Sequence, residues 1–473
     1  MKKNSMKVKA LALACLMAMS LAGCGGSSDT SSSSSSSSDT SSDTSSDASS
    51  SAAEDTTSSA EESSSDEKIT LRFVTWLSAD QEQNERVAEA YEAMNPNIDV
   101  VFEYYGNADV NDYYTKVDLM ILGNEPMDIL VSGNYSAHSK RAESGAYYPL
   151  DDLLAAKGVE PETEFEFAPT VGGTRYALPY EWKSWLVMIN KEMLDAAGLD
   201  VPSLDWTWDD YREYASAMTS GEGPSKKYGS LFVAWEQYNM LGMWSGMEHY
   251  PFIKEDGTPN YDDPLFKDWL EYRMLLENED ESQVPYSIVK STGLNYRAEF
   301  FNGNVGMMPI STFILTELDD VSIYPHDFQT TFAPIPTWGD NEPGASLTEA
   351  VYYSVASASP HPEEALDFLY YYVGDGAEVK QSSISARAGA DKMSYVETMI
   401  EDTQYVDMEA LGNVLMNPEY KNRVYTEIPT YNGELLSMLT EEVEKYYFGQ
   451  ESDLDGIIDT MMVRGQQIID ENS

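Results

Sequence analysis

Strand and helix patterns alternate in the part of the chain that begins near residue 69. Apolar side chains alternate or cluster over 69–76, 98–105 and 127–131 as they do in strands. Helical patterns fill the two intervals, over 79–94 and 112–122. Because a strand–helix–strand order is typical of parallel strands joined by helical crossovers, we expect an α/β fold.

The chain is long enough for more than one lobe. It has 473 residues, and about 400 of them follow an N-terminal segment of low complexity. A single hydrophobic core of that size is uncommon, so two lobes are expected. Later in the chain, 305–310 and 351–356 predict short strands, while 264–276, 434–447 and 454–469 predict helices.

The first residues have the composition of an export signal. Four lysines precede an apolar stretch over 10–22, which is too short to span a bilayer and which runs into Leu21-Ala22-Gly23-Cys24. Small residues before a cysteine resemble the lipoprotein box of bacteria. The resemblance implies that residues 1–23 are removed and that Cys24 carries a lipid. The alternative is an ordinary cleaved signal in which the cysteine is incidental.

Residues 24–67 are expected to form a disordered tether. Beyond Cys24 the segment is mostly Ser, Thr, Ala, Asp and Glu, and it holds no aromatic or large aliphatic residue. It therefore cannot bury enough apolar surface to offset the entropy of ordering. Cys15 and Cys24 are the two cysteines of the sequence. Once the signal is removed no pair is left for a disulfide, which favours lipid attachment at Cys24.

Acidic residues dominate the charge. The sequence has 81 Asp and Glu against 29 Lys and Arg, for a formal net charge of −52. Such a surface repels nucleic acid and anionic lipid, so we expect no nucleic-acid partner and contact with the membrane through the lipid at Cys24. A solvated surface that keeps the protein soluble explains the charge, and a cationic ligand is the alternative.

Six segments, by their order and spacing, resemble the extracellular solute-binding proteins of family 1, which are the maltose-binding-protein-like receptors of ABC importers. Each match is weak alone, and Met127 interrupts one of them. The segments are 69–76, 123–129, 176–179 with 188–191, 198–210, 300–308 and 358–368.

The resemblance implies a two-lobed, type II periplasmic-binding-protein-like fold, with a mainly parallel sheet flanked by helices in each lobe. The N-terminal lobe is expected to comprise residues 68–180 and 354–415, and the C-terminal lobe 181–353 and 416–473. Three hinge crossovers are expected near 180–185, 351–354 and 411–423. Members of the family hold a small solute between the lobes, pass it unchanged to an ABC permease and are not enzymes.

A sugar offers hydroxyls, which suit carboxylates and amides, and C–H faces, which suit aromatic rings. Polar and aromatic side chains at strand ends and crossovers are therefore the candidate ligand contacts. These candidates are Trp76, Asp80, Gln81, Asn134, Tyr135, Tyr180, Glu181, Trp182, Trp235, Glu236, Trp244, Trp338, Glu349, Tyr352 and Arg387. Structural alternatives are core packing for Trp76, helix capping for Asp80 and an ion pair for Arg387.

The sequence contains no recognisable motif for catalysis, a cofactor or a metal. The four histidines lack the spacing of a zinc site, and glycine motifs for nucleotides and a nucleophile elbow are absent. The sequence therefore predicts a monomeric receptor, anchored by lipid on the extracytoplasmic face of the cell membrane, that captures a carbohydrate, in particular an oligosaccharide, for an ABC transporter. The alternatives are a receptor for a polyamine or basic peptide, a surface glycoside hydrolase and an adhesin.

Overall fold

The computed structural model describes residues 68–106, 110–244, 247, 250–338, 343–419, 422–425 and 427–472. Cys24, the predicted signal and the predicted tether lie outside these residues. The strands are β1 (Ile69–Thr75), β2 (Ile98–Tyr104), β3 (Ile129–Ser132), β4 (Thr170–Val171), β5 (Leu178–Asn190), β6 (Tyr228–Ser230), β7 (Val305–Ser311), β8 (Thr330–Pro334), β9 (Ser346–Val355), β10 (Asn422–Arg423) and β11 (Glu427–Ile428).

Local sequence signals set several helix ends. Thr207 and Asp210 form the predicted capping box before Trp208, and Pro264 occupies the first turn of its helix. The helices are α1 (Gln81–Met94), α2 (Val110–Leu122), α3 (Tyr135–Glu143), α4 (Asp151–Lys157), α5 (Pro161–Glu164), α6 (Lys191–Ala196), α7 (Trp208–Met218), α8 (Pro264–Asn278), α9 (Tyr286–Thr292), α10 (Tyr296–Phe301), α11 (Pro362–Val373), α12 (Asp375–Lys380), α13 (Lys392–Met399), α14 (Met408–Leu415), α15 (Asn432–Tyr447) and α16 (Leu454–Glu471).

One mixed sheet runs through the described residues in the order β2-β1-β3-β9-β5-β7-β6. β1 pairs in parallel with β2 and β3, which confirms the predicted strand–helix–strand start, whereas β9 runs antiparallel to β3 and β5. We call the part around β1, β2 and β3 the first half of the molecule, and the part around β6, β7 and β8 the second half.

The long strands β5 and β9 connect the two halves. β5 pairs with β9 as far as Ser184 and, from Trp185 onward, with β7 and β8. The end of β9 pairs with β3, and its start pairs with β10. Because β5 changes partners within one sheet, the described residues from 68 onward belong to one compact unit that contains both sets of strands.

Each half has an apolar cluster of its own, and a further cluster, with Val74 of β1 and Phe332 of β8 among its members, runs through both halves. In the first half Phe73 of β1 packs with Val87 of α1 and Phe368 of α11. In the second half α8, α15 and α16 share a core that contains Leu270 and Leu439. The helices α15 and α16 therefore belong to the second half, where their apolar faces are buried.

The segment around α14 packs on the second half. The hydroxyl of Thr331 in β8 donates to Asp407 at 2.8 Å, and the N–H of Asp407 donates to the carbonyl of Thr330 at 2.9 Å. Leu411 and Val414 bury the apolar face of α14. The sequence placed residues up to 415 with the first lobe, whereas these contacts connect this segment to a strand of the second half.

None of the described helices combines the length and the apolarity that crossing a bilayer requires.

Candidate functional site

The end of β3 leads directly into helix α3. Asn134 caps this helix, since its side chain accepts a hydrogen bond from the N–H of Ala137 at 2.8 Å. Tyr135 and Ser136 form the first turn of α3 and are thereby held at the edge of the sheet. The amide oxygen of Asn134 is used by the helix, so its direct role in the site is to fix where α3 begins.

A cavity of about 70 Å³ lies where α3 meets the second half. Side chains of both halves and of the connecting strand β9 surround it. They are Tyr135, Ser136, Glu236, Gln237, Met240, Tyr250, Pro251, Phe252, Leu347, Thr348, Glu349, Tyr352, Val424, Tyr425, Ile428, Asn432 and Leu436.

Glu349 of β9 and Lys183 of β5 are paired where the two strands cross. Both residues are buried, and Lys183 Nζ lies 3.9 Å from Glu349 Oε1. The same ammonium group donates a hydrogen bond to the carbonyl of Gly133. Burial raises the pKa of Glu349, and the charge of Lys183 and the N–H of Tyr135 oppose that rise. Lys183 therefore offsets the charge of a carboxylate that borders the cavity.

Glu236 brings a second carboxylate to the cavity from the second half. Burial raises its pKa to about 7; the hydroxyl of Ser136 and the charge of Lys140 oppose this rise, and the negative charge of Glu349 adds to it. Near neutral pH this carboxyl group is therefore divided between a charged acceptor form and a protonated donor form. Either form is able to bond a hydroxyl group.

Aromatic rings form walls on both sides of the cavity. In the first half Tyr352 lies edge-on to Tyr135, with centroids 5.7 Å apart, and stacks on His138 at 5.2 Å. Across the cavity Tyr250 and Tyr425 meet edge to face at 6.1 Å. Burial, together with a nearby arginine, lowers the pKa of His138 to about 3, so its ring is neutral and supports Tyr352 by packing.

Four of the predicted candidates come together in this cavity: Tyr135, Glu236, Glu349 and Tyr352. They come from three distant parts of the sequence and combine two rings with two carboxylates. Their contact with a ligand stays a prediction.

The predicted cluster at the first crossover is engaged elsewhere. Tyr180 lies 4.8 Å from the ammonium group of Lys380 in the core of the first half, and Trp182 is covered by Lys392 at 4.8 Å. Burial raises the pKa of Glu181, and two nearby lysines oppose that rise. None of the three predicted residues is among those that line the described cavity.

Asp80 and Gln81 are engaged at the start of α1. Asp80 Oδ2 lies 2.8 Å from Nζ of the buried Lys380, and Gln81 donates to Glu85 Oε1 at 2.8 Å. Asp80 is the N-cap residue of α1 by position, but its side chain makes no capping hydrogen bond. An ion pair therefore takes the place of the capping role that was the structural alternative for Asp80.

Trp76 and Trp235 pack against tyrosines. Trp76, at the end of β1, is half-buried, and its ring centroid lies 5.1 Å from that of Tyr113. Trp235, which precedes Glu236, is likewise half-buried and lies edge-on to Tyr296 at 5.1 Å. Both keep part of the ring exposed, but neither lines the described cavity.

The other candidates lie away from the cavity as well. Trp244 is buried against Trp185, with centroids 5.4 Å apart, and Trp338 packs edge-on against a tyrosine of α8. Arg387 forms an ion pair with Glu164, which is the structural alternative expected for it.

Sequence reasoning missed Tyr250, Tyr425 and Asn432. They lie in irregular segments and at the start of α15, and only the folded chain places them beside α3. Lys183 was also missed, although it lies in the predicted crossover segment 180–185. A lysine among aromatic residues at a strand crossing is a signal that could have identified it.

A wider groove of about 410 Å³ lies between α3, α15 and α16. It is lined mainly by charged and amide side chains and holds no aromatic ring; the charged ones are Lys140, Glu143, Glu434, Glu441, Arg464 and Glu471. The smaller cavity is the better candidate for a ligand site, because it combines rings with carboxylates from both halves.

Across the ranges described here, no three His, Cys, Asp or Glu side chains are grouped so that they could hold a metal ion. The described histidines lie apart. His138 stacks on tyrosines, His326 packs against Phe301, and His361 precedes α11.

Residues 76–379 match the model of a protein family, that of bacterial extracellular solute-binding proteins, over more than half of the chain. The chain belongs to this family. Membership confirms the family that the six sequence segments indicated, and it supports a receptor in place of an enzyme.

One similar curated relative is the sn-glycerol-3-phosphate-binding periplasmic protein UgpB of Shigella flexneri. It is 26% identical over 281 residues, which cover 55% of this chain and 62% of the relative. The match therefore spans less than two thirds of the relative's own length.

Two solved structures show the same fold. A sugar transporter from Rhizobium etli in an open conformation is 21% identical with a TM-score of 0.65, covering 85% of this chain and 99% of the other. An ABC substrate-binding protein from Listeria monocytogenes in complex with cycloalternan is 18% identical with a TM-score of 0.66, covering 83% and 98%. The likeness confirms the predicted fold class, the two-lobed type II periplasmic-binding-protein fold.

Proposed function

We propose that this protein is a lipid-anchored receptor that binds a carbohydrate, in particular an oligosaccharide, and delivers it to an ABC permease. One observation carries the proposal. Glu236 of the second half, Glu349 of the connecting strand β9 and the rings of Tyr135 and Tyr352 meet in a single cavity. Carboxylates accept hydrogen bonds from sugar hydroxyls, and tyrosine rings cover the C–H faces of a sugar.

Binding requires the halves to separate and close again. The cavity is bordered by side chains of both halves and of β9, so we expect a solute to reach it as the halves move apart. The halves are connected through the long strands β5 and β9, and hinge closure about such connections is a common way to enclose a ligand. We therefore expect solute capture to be accompanied by closure.

The charge of the cavity favours a neutral hydroxyl compound over an anion. The relative from Shigella flexneri is named for sn-glycerol-3-phosphate, which makes a glycerol phosphate the second candidate. The carboxylic acids among the residues that line the cavity are Glu236 and Glu349. Lys183 lies beside Glu349 and already contacts both Glu349 and the carbonyl of Gly133. A phosphate would therefore meet the carboxyl groups of Glu236 and Glu349, and no lysine or arginine is among the residues that line the described cavity.

Calorimetric titration with a panel of ligands tests the proposal. The panel contains malto- and manno-oligosaccharides, glycerol phosphates, polyamines and basic peptides, and thermal melting gives an independent measure of binding. We expect binding of at least one oligosaccharide, which Glu349→Gln weakens and Glu213→Gln on the exposed face of α7 does not.

Three results would contradict it. Binding of a glycerol phosphate with no response to any sugar would support the second candidate, and binding of a polyamine alone would support a cation receptor. Release of shortened oligosaccharides during incubation would indicate a glycoside hydrolase.

Lipid anchoring is tested separately. The wild type and Cys24→Ala are expressed in a bacterial host. Separation of the membrane fraction reports on the anchor, and light scattering of the purified protein reports on the oligomeric state. We expect a membrane-bound, monomeric wild-type protein and release of the variant from the membrane fraction. Equal distribution of the two proteins would contradict a lipid at Cys24.

A further inference from the structure

One face of α3 meets the second half along its whole length. Ser136, Ser139 and Glu143 lie three and four residues apart, which places them on one side of a helix. Ser136 offers its hydroxyl to Glu236, Ser139 accepts a hydrogen bond from Asn432, and Glu143 faces the backbone N–H that follows Asn432. We call this contact the α3 seam.

Asn432 connects the two halves within the α3 seam through hydrogen bonds of its side chain. Its Nδ2 donates to Ser139 Oγ of the first half at 3.2 Å, and its Oδ1 accepts from the hydroxyl of Tyr250 in the second half at 2.5 Å. Ser139 in turn donates to the carbonyl of Ser136 at 3.1 Å. Asn432 and Ser139 are buried, so the network forms in a site from which water is excluded.

Glu236 is the titratable member of the α3 seam that lines the cavity. Glu143, at the end of α3, lies outside the cavity, and burial raises its pKa to about 7 as well. Three polar groups face it from the elements packed around it: the hydroxyl of Ser136 and the ammonium of Lys140 on α3, and the carboxylate of Glu349 on β9. The residues of α15 that line the same cavity, Asn432 and Leu436, carry no charge. Burial holds the pKa of Glu236 at about 7 in this closed arrangement.

When the halves separate, Glu236 returns to water and its pKa falls towards the ordinary value for a carboxyl group. The closed form therefore binds the proton more tightly than the open form. By linkage, protons favour closure: the advantage is full below the ordinary carboxyl pKa of about 4.3, declines as the pH rises and is lost once the pH passes 7.

We propose that the α3 seam is a proton-sensitive latch, in which Asn432 holds the two halves together and Glu236 takes up a proton as they close. The proposal rests on the proposed solute-binding function. Asn432 acts as a positioning residue that stabilises the closed form, and Glu236 makes solute affinity depend on the acidity outside the cell.

The pH profile of solute affinity tests the role of Glu236. For Glu236 alone, with a pKa near 7 in the closed form, we expect about tenfold tighter binding at pH 6 than at pH 8. Calorimetric titration in two buffers of different ionisation enthalpy measures the protons taken up, and we expect Glu236 to account for about half a proton at pH 7. In Glu236→Gln, which mimics the protonated form, we expect a flatter profile and about half a proton less uptake.

Lys140→Met gives a second test that leaves the cavity lining intact. Because the charge of Lys140 lowers the pKa of Glu236, removing it should move the midpoint of the profile to higher pH. If Glu236→Gln keeps the pH profile of the wild type, the role of Glu236 is overturned. If Glu236→Gln fails to bind the solute, an unshifted midpoint in Lys140→Met overturns it instead.

Asn432→Ala tests the latch itself. Tyr250 and Ser139 would lose their partner in the closed form, so we expect dissociation of the solute to accelerate by about tenfold to a hundredfold with little change in association. The matched control is Asn413→Ala on the exposed face of α14. Unchanged dissociation would overturn the latch.

The outcomes also separate the two proposals. Absence of binding for every solute at every pH would remove the proposed function and this latch with it. Binding that is independent of pH and of Asn432 would remove the latch alone.

Discussion

Among the described residues, two buried lysines pair with carboxylates, and they differ in their surroundings. Lys380 lies 2.8 Å from Asp80 and is covered by tyrosine rings, including that of Tyr180, inside the first half. Lys183 lies 3.9 Å from Glu349 where β5 and β9 cross, and Glu349 borders the cavity. The short, covered pair lies within one half, whereas the longer pair borders the cavity, where we propose that Glu349 contacts a ligand.

This comparison shows how much a binding site depends on its neighbours. Asp80 follows the first strand, a position that favours ligand contact, and Glu349 precedes the second crossover. Both are carboxylates in segments where the sequence predicts ligand contact. In the folded chain Asp80 pairs with the buried Lys380, whereas Glu349 borders the cavity, and we propose that Glu349 is the one that contacts a ligand.

The largest expected effect breaks the covered pair. Lys380→Met leaves Asp80 without its partner next to apolar and aromatic groups, and we expect a loss of about 3 kcal/mol in the free energy of unfolding. Urea unfolding measures this. The matched control is Lys267→Met, which removes an exposed pair with Asp455 and should cost less than about 1 kcal/mol. Equal losses in the two variants would contradict the comparison.

The second prediction contrasts the two carboxylates directly. Glu349→Gln removes a charged acceptor at the cavity, so we expect solute affinity to fall by about tenfold to a hundredfold. Asp80→Asn alters a pair that does not line the cavity, so affinity should stay within about twofold of the wild type. Calorimetric titration of both variants with the same solute checks the order, and a larger effect at Asp80 would reverse the assignment.

The smallest effect concerns the wall behind Tyr352. The folded protein keeps His138 neutral with a pKa of about 3, while the unfolded chain protonates it below its ordinary pKa of about 6.5. Stability from this group is therefore present above pH 6.5 and is lost as the pH falls towards 3.

Between pH 6.5 and 5.5 we expect the wild type to lose about 1 kcal/mol relative to His138→Phe, which keeps an aromatic ring. Denaturant unfolding at both pH values measures the difference. His361→Phe, at a half-buried position before α11, is the control. A parallel pH dependence in the wild type and His138→Phe would show that His138 is not held neutral.

Local patterns determined a large part of the fold. The alternation in β1 and the helical spacing after it predicted the parallel start of the sheet, and Thr207 with Asp210 predicted the start of α7. Such features depend on residues a few positions apart, so the sequence contains all of the information they need. The order of six short segments determined the family.

Only the tertiary structure decided the cavity and the α3 seam. Ser139 and Asn432 are 293 residues apart, and no local pattern indicates that their side chains meet. The burial that moves the pKa of Glu236 likewise depends on elements from both halves. Long-range packing sets which polar groups lose water and which partners they gain, and those two quantities determine whether a carboxylate stabilises the fold, binds a ligand or takes up a proton.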